Sequence, residues 1–229
     1  LGRITVSLDA LDEDVFQRMN DAPGYSVKDV LAGIAAAEKT GFVRLKINTV
    51  VRRGVNEDQI VPLARHLGER GHTVRFIEYM DVGTRNGWRR DDVVGSEEIR
   101  SKLREIGEFS PLERDRGSEV SERYRFEATG AEFGIIASVT APFCGQCVRA
   151  RLSVDGRLVT CLFAAGGTSL REPLRRGASD EELSALVTSI WRARTDRYSE
   201  ERAARAEDRV RLRWIGEASS TNRPETNCV

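Results

Sequence analysis

Three of the four cysteines lie close together in the sequence. Cys144 and Cys147 form a Cys-x2-Cys pair, and Cys161 follows after thirteen intervening residues. Such a pair places two thiolates on one tight turn, and the interval is long enough for a β-hairpin that returns the third thiolate. The sequence predicts that hairpin, with strands over 149–154 and 157–161 joined by a turn at Asp155-Gly156. The spacing therefore predicts a metal centre.

The residues alone leave the kind of centre open. Disulfides are disfavoured, because the chain shows no export signal and a reducing cytosol keeps thiols reduced. A structural zinc site needs four N or S ligands, and the fourth would be Cys228, His66 or His72. Cys228 falls in a polar tail, and both histidines are expected to be solvated residues in or beside a surface helix. Three thiolates without a fourth protein ligand fit an iron–sulfur cluster with one open iron.

Two arginines follow the cysteine pair at a spacing of two. Arg149 and Arg151 alternate with Ala150 on the predicted outgoing strand, so they are expected to share one face. Guanidinium groups bind phosphate through planar bidentate hydrogen bonds. Beside a metal centre they indicate an anionic, phosphate-bearing ligand, the alternative being two solvent-facing arginines in an arginine-rich chain.

The elements that would position these residues begin with an alternation of strands and helices. Strands are predicted over 4–8, 42–51 and 73–79, and helices over 27–39 and 58–70. This alternation indicates an α/β fold of parallel βα units, in part of a barrel or in an open sheet. Either architecture places ligands at the carboxyl ends of the strands. The polar candidates in or at the end of these strands are Ser7, Asp9, Lys46, Asn48, Glu78 and Met80.

The rest of the chain is less regular. A helix is predicted over 97–104, a strand over 133–139 and a long helix over 180–211. The segment 113–123 is dense in both charges and lacks an apolar period, so a loop is expected there. Residues 218–229 form a polar tail that is expected to be disordered.

Composition argues against two classes of partner. The chain has 36 basic and 36 acidic residues, and this balance argues against general binding to nucleic acid or membranes. No stretch approaches the roughly 20 apolar residues of a membrane helix, and no secretory signal begins the chain. A cytoplasmic protein is expected.

Several motifs together resemble one family. They are Val6-Ser7-Leu8-Asp9-Ala10, Leu45-Lys46-Ile47-Asn48, Arg75-Phe76-Ile77-Glu78-Tyr79-Met80, and Phe143-Cys144-x2-Cys147-x-Arg149-x-Arg151 with Cys161-Leu162-Phe163. Over Ile4 to about Gly216 the chain resembles the C-terminal two-thirds of the GTP 3′,8-cyclases, radical S-adenosylmethionine lyases of molybdenum cofactor biosynthesis. The last motif is the most specific of the four.

The resemblance implies a partial TIM-type barrel of parallel βα units that lacks its N-terminal strands, followed by an iron–sulfur-binding region. The implied division is 1–106 for the barrel part, 107–216 for the substrate and cluster region, and 217–229 for the tail. A partial barrel would leave an unpaired edge at 4–8, so we expect the isolated chain to be marginally folded.

The resemblance also assigns site residues. Lys46, Arg149 and Arg151 would bind GTP, and Ser7 and Met80 would line the S-adenosylmethionine site. A second [4Fe–4S] cluster would be held by Cys144, Cys147 and Cys161, while the first belongs to the missing N-terminal part. No catalytic side chain is assigned.

The implied reaction cyclises GTP to (8S)-3′,8-cyclo-7,8-dihydroguanosine 5′-triphosphate, which passes to cyclic pyranopterin monophosphate synthase. The radical abstracts the ribose 3′ hydrogen, and the carbon radical attacks C8 of guanine. A homodimer is compatible with the resemblance.

Two departures from the family pattern are present. The Cys-x3-Cys-x2-Cys motif of the first cluster is absent, so the chain alone is expected to be inactive. Glu217 also stands where the family has the second glycine of a terminal pair. The alternatives are a non-catalytic zinc or iron–sulfur nucleotide-binding module, or another radical enzyme with an auxiliary cluster.

Overall fold

A computed structural model describes residues 3–20, 23–42, 44–82, 87–113, 119–164 and 166–202 of the 229-residue chain. They divide into two units. The first belongs to Leu1–Met80 and Trp88–Cys147, and the second to Asp81–Gly87 and Val148–Val229. Gly216, Glu217 and the predicted tail lie outside the described residues, and the domain boundaries at 106 and 216 stay predictions.

The first unit is built on a six-stranded mixed sheet. In chain order its elements are β1 Thr5–Ser7, α1 Glu13–Asn20, α2 Val27–Lys39, β2 Lys46–Val51, α3 Ile60–Gly68, β3 Thr73–Glu78, α4 Ser96–Leu103, β4 Phe109–Leu112, β5 Glu122–Phe126 and β6 Glu132–Ile136. The strand order is β1-β2-β3-β6-β5-β4, in which the first four strands are parallel and β5 and β4 antiparallel. The α/β fold with a mainly parallel sheet is confirmed.

Alternation along the strands gives this sheet two unlike faces. In β2, Ile47 and Val51 are fully buried, whereas Lys46 and Asn48 between and beside them are only half-buried. The apolar face packs with the helices into one core, whose fully buried members include Ile34, Ile60, Leu63, Leu67, Phe76, Ile99, Leu103 and Ile135. The other face of β2 carries Lys46 and Asn48 together with Val50.

Helix α2 begins and ends where the residues beside its two termini predict. Ser26 caps its N-terminus, accepting a hydrogen bond from the Asp29 backbone N–H while the Asp29 carboxylate accepts one from the Ser26 N–H. These bonds with Ser26 lower the pKa of Asp29. The helix ends at Lys39, and Gly41 follows with a φ of 95°.

The structure corrects two sequence-based predictions. The segment 113–123 was expected to be a loop, but Glu122 and Arg123 belong to β5, which pairs with β4 and β6. The charged residues hide this strand in the sequence, because it forms by pairing with β4, which precedes it, and with β6, which follows it. The helix predicted over 180–211 ends instead at Arg192, and a separate turn of helix follows at Tyr198–Glu201; residues 203–211 lie outside the described part.

The described residues of the second unit form a small antiparallel sheet and three helices: β7 Arg151–Leu152, β8 Arg157–Val159, β9 Thr168–Ser169, α5 Arg171–Arg175, α6 Asp180–Arg192 and α7 Tyr198–Glu201. The predicted hairpin is confirmed with shorter strands. Its turn contains Gly156 at a φ of 78°, where an added Cβ would come within 2.8 Å of the Arg171 Cβ. None of the helices in the described part of the chain has the length and apolar character needed to cross a membrane.

Candidate functional site

A row of polar side chains crosses the face of the first unit's sheet that turns away from the helices. Strand register aligns Ser7 with Asn48, Asn48 with Arg75, Arg75 with Gly134 and Gly134 with Arg123. Ser7 is exposed, and the Asn48 and Arg75 side chains are half-buried. The sheet therefore places a hydroxyl, an amide and two guanidinium groups on one surface.

Lys46 belongs to the same face, two residues before Asn48. Burial lowers the pKa of its ammonium group, and the nearby positive charge of Arg75 lowers it further, whereas Glu119 acts to raise it. Arg3 and Arg123 add smaller repulsions. Cations held close together on a half-buried surface gain from a bound anion, so this face is suited to a phosphate group.

Arg75 and Arg123 were missed as site residues in the sequence. Arg75 lies in a strand whose pattern identified only the residues at its carboxyl end. Arg123 lies in the segment whose charge pattern predicts a loop. The sequence did contain a signal for Arg75. Its neighbours Val74 and Phe76 are buried, so the charged side chain between them must lie on the opposite face of the strand, at a surface that stabilises charge.

A buried clasp joins the carboxyl ends of β1 and β2. The carboxylate of Asp9 accepts a hydrogen bond from the Val50 N–H at 2.7 Å, and Thr49 Oγ1 donates to the Leu8 carbonyl at 2.7 Å. Asn56 Nδ2 donates to the carbonyls of both Asp9 and Val50. This clasp fixes the strand end that follows Ser7.

Asp9 predicts a pH dependence of stability. Burial raises its pKa from 3.8 to about 6, against a smaller lowering by the Val50 N–H. The folded chain therefore binds more protons than the unfolded chain between these values, and the free energy of unfolding falls as the pH rises from about 4 to about 6. The loss amounts to about 3 kcal/mol. Asp9→Asn should remove most of this decline, as measured by urea unfolding at several pH values; equal pH slopes for both proteins would contradict the prediction.

Glu78 organises the carboxyl end of β3. Its side chain is fully buried and accepts hydrogen bonds from the backbone N–H groups of Ser96, Val139 and Thr140 at 2.7–2.9 Å, and from the Thr140 hydroxyl. Ser96 is the first residue of α4, where the helix dipole favours a carboxylate. One buried anion thereby ties β3, α4 and the segment after β6 together.

That segment leads directly to the cysteine pair. Cys144 begins a single 3₁₀ turn, Cys144–Gln146, and the Cys147 N–H donates to the Cys144 carbonyl at 3.1 Å. Both side chains are half-buried and outside any disulfide. The prediction that the pair lies on one tight turn is confirmed.

Cys161 belongs to the second unit, just after β8. Its Sγ accepts a hydrogen bond from the Phe163 N–H at 3.4 Å, and Thr160 beside it donates through its hydroxyl to Asp196. The Phe163 ring stacks on Tyr198 with centroids 4.3 Å apart. These contacts fix the Cys161 loop on both sides.

A buried ion pair supports that loop. Arg202 lies over the Phe163 and Tyr198 rings and contacts Asp81 at 2.8 Å, and the Tyr198 hydroxyl donates to the other Asp81 oxygen. The Arg202 side chain is only 9% exposed. Asp81 directly follows Met80, so the network anchors the chain that leaves β3.

The predicted arginines lie in the same unit as Cys161. Arg151 begins β7, opposite Val159, and is half-buried, whereas Arg149 precedes the strand and is exposed. Met80 is half-buried just beyond β3. Among the described residues, no three His, Cys, Asp or Glu side chains could together hold one metal ion, so the three-cysteine centre stays a prediction.

The expectation for one histidine was wrong. His72 is not solvated but 1% exposed, with Nε2 2.7 Å from a Glu38 carboxylate oxygen and Nδ1 3.5 Å from the Leu45 N–H. These two contacts occupy both ring nitrogens. His72 is therefore a structural residue and a poor candidate for the fourth zinc ligand.

Comparison with known proteins connects the chain to a family. Residues 72–200 match the family model Molybdenum Cofactor Synthesis C. The chain is 48% identical over 204 residues to a GTP 3′,8-cyclase of Xanthomonas campestris, covering 89% of this chain and 59% of that protein. It is 46% identical over 207 residues to one of Acidothermus cellulolyticus, covering 89% and 57%, and 41% identical over 222 residues to one of Staphylococcus carnosus, covering 94% and 65%.

The chain thus spans about three fifths of the length of these relatives. The resemblance found in the motifs is confirmed over most of the chain. The family model matches more than half of the chain, including β3, β4, β5 and the Cys144–Cys147 turn. The chain therefore belongs to the Molybdenum Cofactor Synthesis C family.

Proposed function

We propose that this chain is the substrate- and cluster-binding part of a GTP 3′,8-cyclase. The observation that carries the proposal is the combination of a cationic row on one sheet face with the cysteine pair on its turn. The names of the relatives support it. The fold of the parallel strands supports a partial TIM-type barrel, and the Cys144 region supports a site for an iron–sulfur cluster.

The proposed role of the chain's cations is to bind and orient GTP. Lys46 and Arg75 would contact the triphosphate, Arg75 through the fork of its guanidinium group. Arg149 and Arg151 are also proposed to bind GTP. Holding the ribose at a fixed place is the main contribution that a protein can make to a radical reaction, because misplaced reactants lose rate steeply.

Ser7 and Met80 are proposed to line the S-adenosylmethionine site. Ser7 is an exposed hydroxyl at the carboxyl end of β1, where a parallel strand presents ligand contacts. Met80 follows β3, and Glu78 and Asp81, which lie near it in the sequence, each bind other residues through their side chains. The clasp at Asp9 would keep Ser7 in register with Asn48 and Arg75.

Cysteine thiolates are the donors that an iron–sulfur cluster takes. Two thiols lie on one turn, and the third accepts a backbone N–H hydrogen bond, an interaction that commonly tunes cluster potentials. Cys144, Cys147 and Cys161 would hold a [4Fe–4S] cluster, which when bound supplies an open iron for the guanine base.

Iron analysis of cysteine variants tests this assignment. After anaerobic reconstitution, the wild-type chain should hold about four iron and four sulfide per chain. Cys144→Ser, Cys147→Ser and Cys161→Ser should each lose most of both. Cys228→Ser is the matched control and should bind as much as wild type.

Two results would contradict the assignment. Stoichiometric colourless zinc in place of iron would favour a structural metal module. Equal loss in Cys228→Ser would mean that the fourth cysteine is a ligand and that no iron is open.

A further inference from the structure

The cationic face contains one carboxylate that the proposed reaction does not use. Glu119 lies close enough to Lys46 and Arg75 that its negative charge acts to raise the pKa of each. It also pairs with Arg123, with Oε2 3.7 Å from Nη1. Of the described residues, Glu119 is the sole acid that affects the pKa of both Lys46 and Arg75.

Packing holds the Glu119 carboxylate against the row of polar side chains on the sheet. The side chains of Glu119 and Arg123 are 18% and 20% exposed. Gly134 separates Arg75 from Arg123 in the register, and a Cβ there would overlap the Ser121 hydroxyl and come within 3.4 Å of Arg75 Cγ. The missing side chain leaves the space in which these charged groups meet.

The polar atoms of the row are incompletely satisfied. Glu119 Oε2, Arg75 Nε and Asn48 Oδ1 are buried without a hydrogen-bond partner in the part of the chain that the structure describes. Of these three atoms only Arg75 Nε is a donor, and the Glu119 carboxylate, which makes a long ion pair with Arg123, does not satisfy it. A phosphate group offers more acceptor oxygens and more charge to the same cations.

We propose that Glu119 is a resident counter-ion of the anion site, which a phosphate-bearing ligand displaces when it binds to Lys46, Arg75 and Arg123. The carboxylate compensates the half-buried cations in the empty site. Displacing it has a fixed cost that lowers the affinity for every phosphate ligand by the same factor. The inference rests on the proposed function only in taking phosphate as the ligand.

Removing the charge should therefore tighten binding. Glu119→Gln is expected to bind inorganic tripolyphosphate about tenfold more tightly than wild type, since the loss of one unit-charge attraction at intermediate dielectric corresponds to roughly that factor. Pyrophosphate should gain by the same factor. Titration calorimetry of the whole chain measures both, and Glu122→Gln is the control, because Glu122 pairs with Arg100.

The outcomes separate this inference from the proposed function. Unchanged or weaker binding in Glu119→Gln, or no tripolyphosphate binding by either protein, overturns the inference. A gain that is clearly larger for tripolyphosphate than for pyrophosphate also overturns it, because a carboxylate that stays in place repels the more highly charged ligand more strongly. If tripolyphosphate behaves as expected but GTP does not bind, the counter-ion stands and the cyclase assignment fails.

Discussion

Glu78→Ala should destabilise the first unit by about 4–6 kcal/mol. The substitution leaves the buried N–H groups of Ser96, Val139 and Thr140 without their acceptor. Hydrogen bonds to a charged group are worth about 1.5–3 kcal/mol each, and a buried donor left unpaired costs about 1–3 kcal/mol. Urea unfolding followed by circular dichroism measures the loss.

The conservative variant sharpens this prediction. Glu78→Gln keeps one acceptor oxygen but turns an amide NH₂ toward the remaining donors, so about half of the loss is expected. Glu127→Ala is the matched control, because this exposed side chain accepts one hydrogen bond from the Ser110 hydroxyl. A loss below about 1 kcal/mol in Glu78→Ala would show that water replaces the carboxylate.

The effect should extend to the cysteine pair. Thr140 precedes Cys144 by four residues, and its backbone and hydroxyl both bind Glu78. Releasing that anchor should loosen the turn that holds Cys144 and Cys147. We therefore expect Glu78→Gln to bind less iron than wild type even under conditions in which it remains folded.

The second large effect is on nucleotide binding. Arg75→Met should weaken GTP binding about 10- to 100-fold, because it removes a charge-assisted bidentate contact while filling a similar volume. Arg75→Lys keeps the charge but not the fork, so an intermediate loss is expected. Lys46→Met should weaken GTP binding comparably. Anaerobic titration calorimetry measures each affinity.

Stability measurements separate binding from folding in these variants. Repulsion between Lys46 and Arg75 means that removing either charge should leave the free energy of unfolding unchanged or raise it. Arg70→Met, which breaks an ion pair with Glu38 away from the row, should bind GTP as wild type does. Weaker binding accompanied by an equal loss of stability would mean that Arg75 is structural.

Much of the first unit could be predicted because its signals are local. Helix α2 matches its predicted bounds, since Ser26 and Gly41 act within a few residues of its ends. Strands β2 and β3 were also located, and the hairpin turn at Asp155-Gly156 was identified from two residues. Cys144 and Cys147 were placed on one turn by their spacing alone.

The features that escaped prediction depend on partners outside their own segment of the chain. Strand β5 contains three charged residues among its five and forms by pairing with β4 and β6. Arg75 and Arg123 join one surface across Gly134, a relation that no interval in the sequence contains. The burial of His72 depends on Glu38, more than 30 residues earlier.

Paramagnetic resonance of the reconstituted chain, with and without GTP, tests most directly whether a nucleotide binds at a cysteine-held cluster. We predict that GTP changes the cluster signal of wild type and that Arg149→Ala/Arg151→Ala loses this change while keeping its iron. A cluster signal that ignores GTP in the wild-type chain, or no cluster at all, would contradict the account.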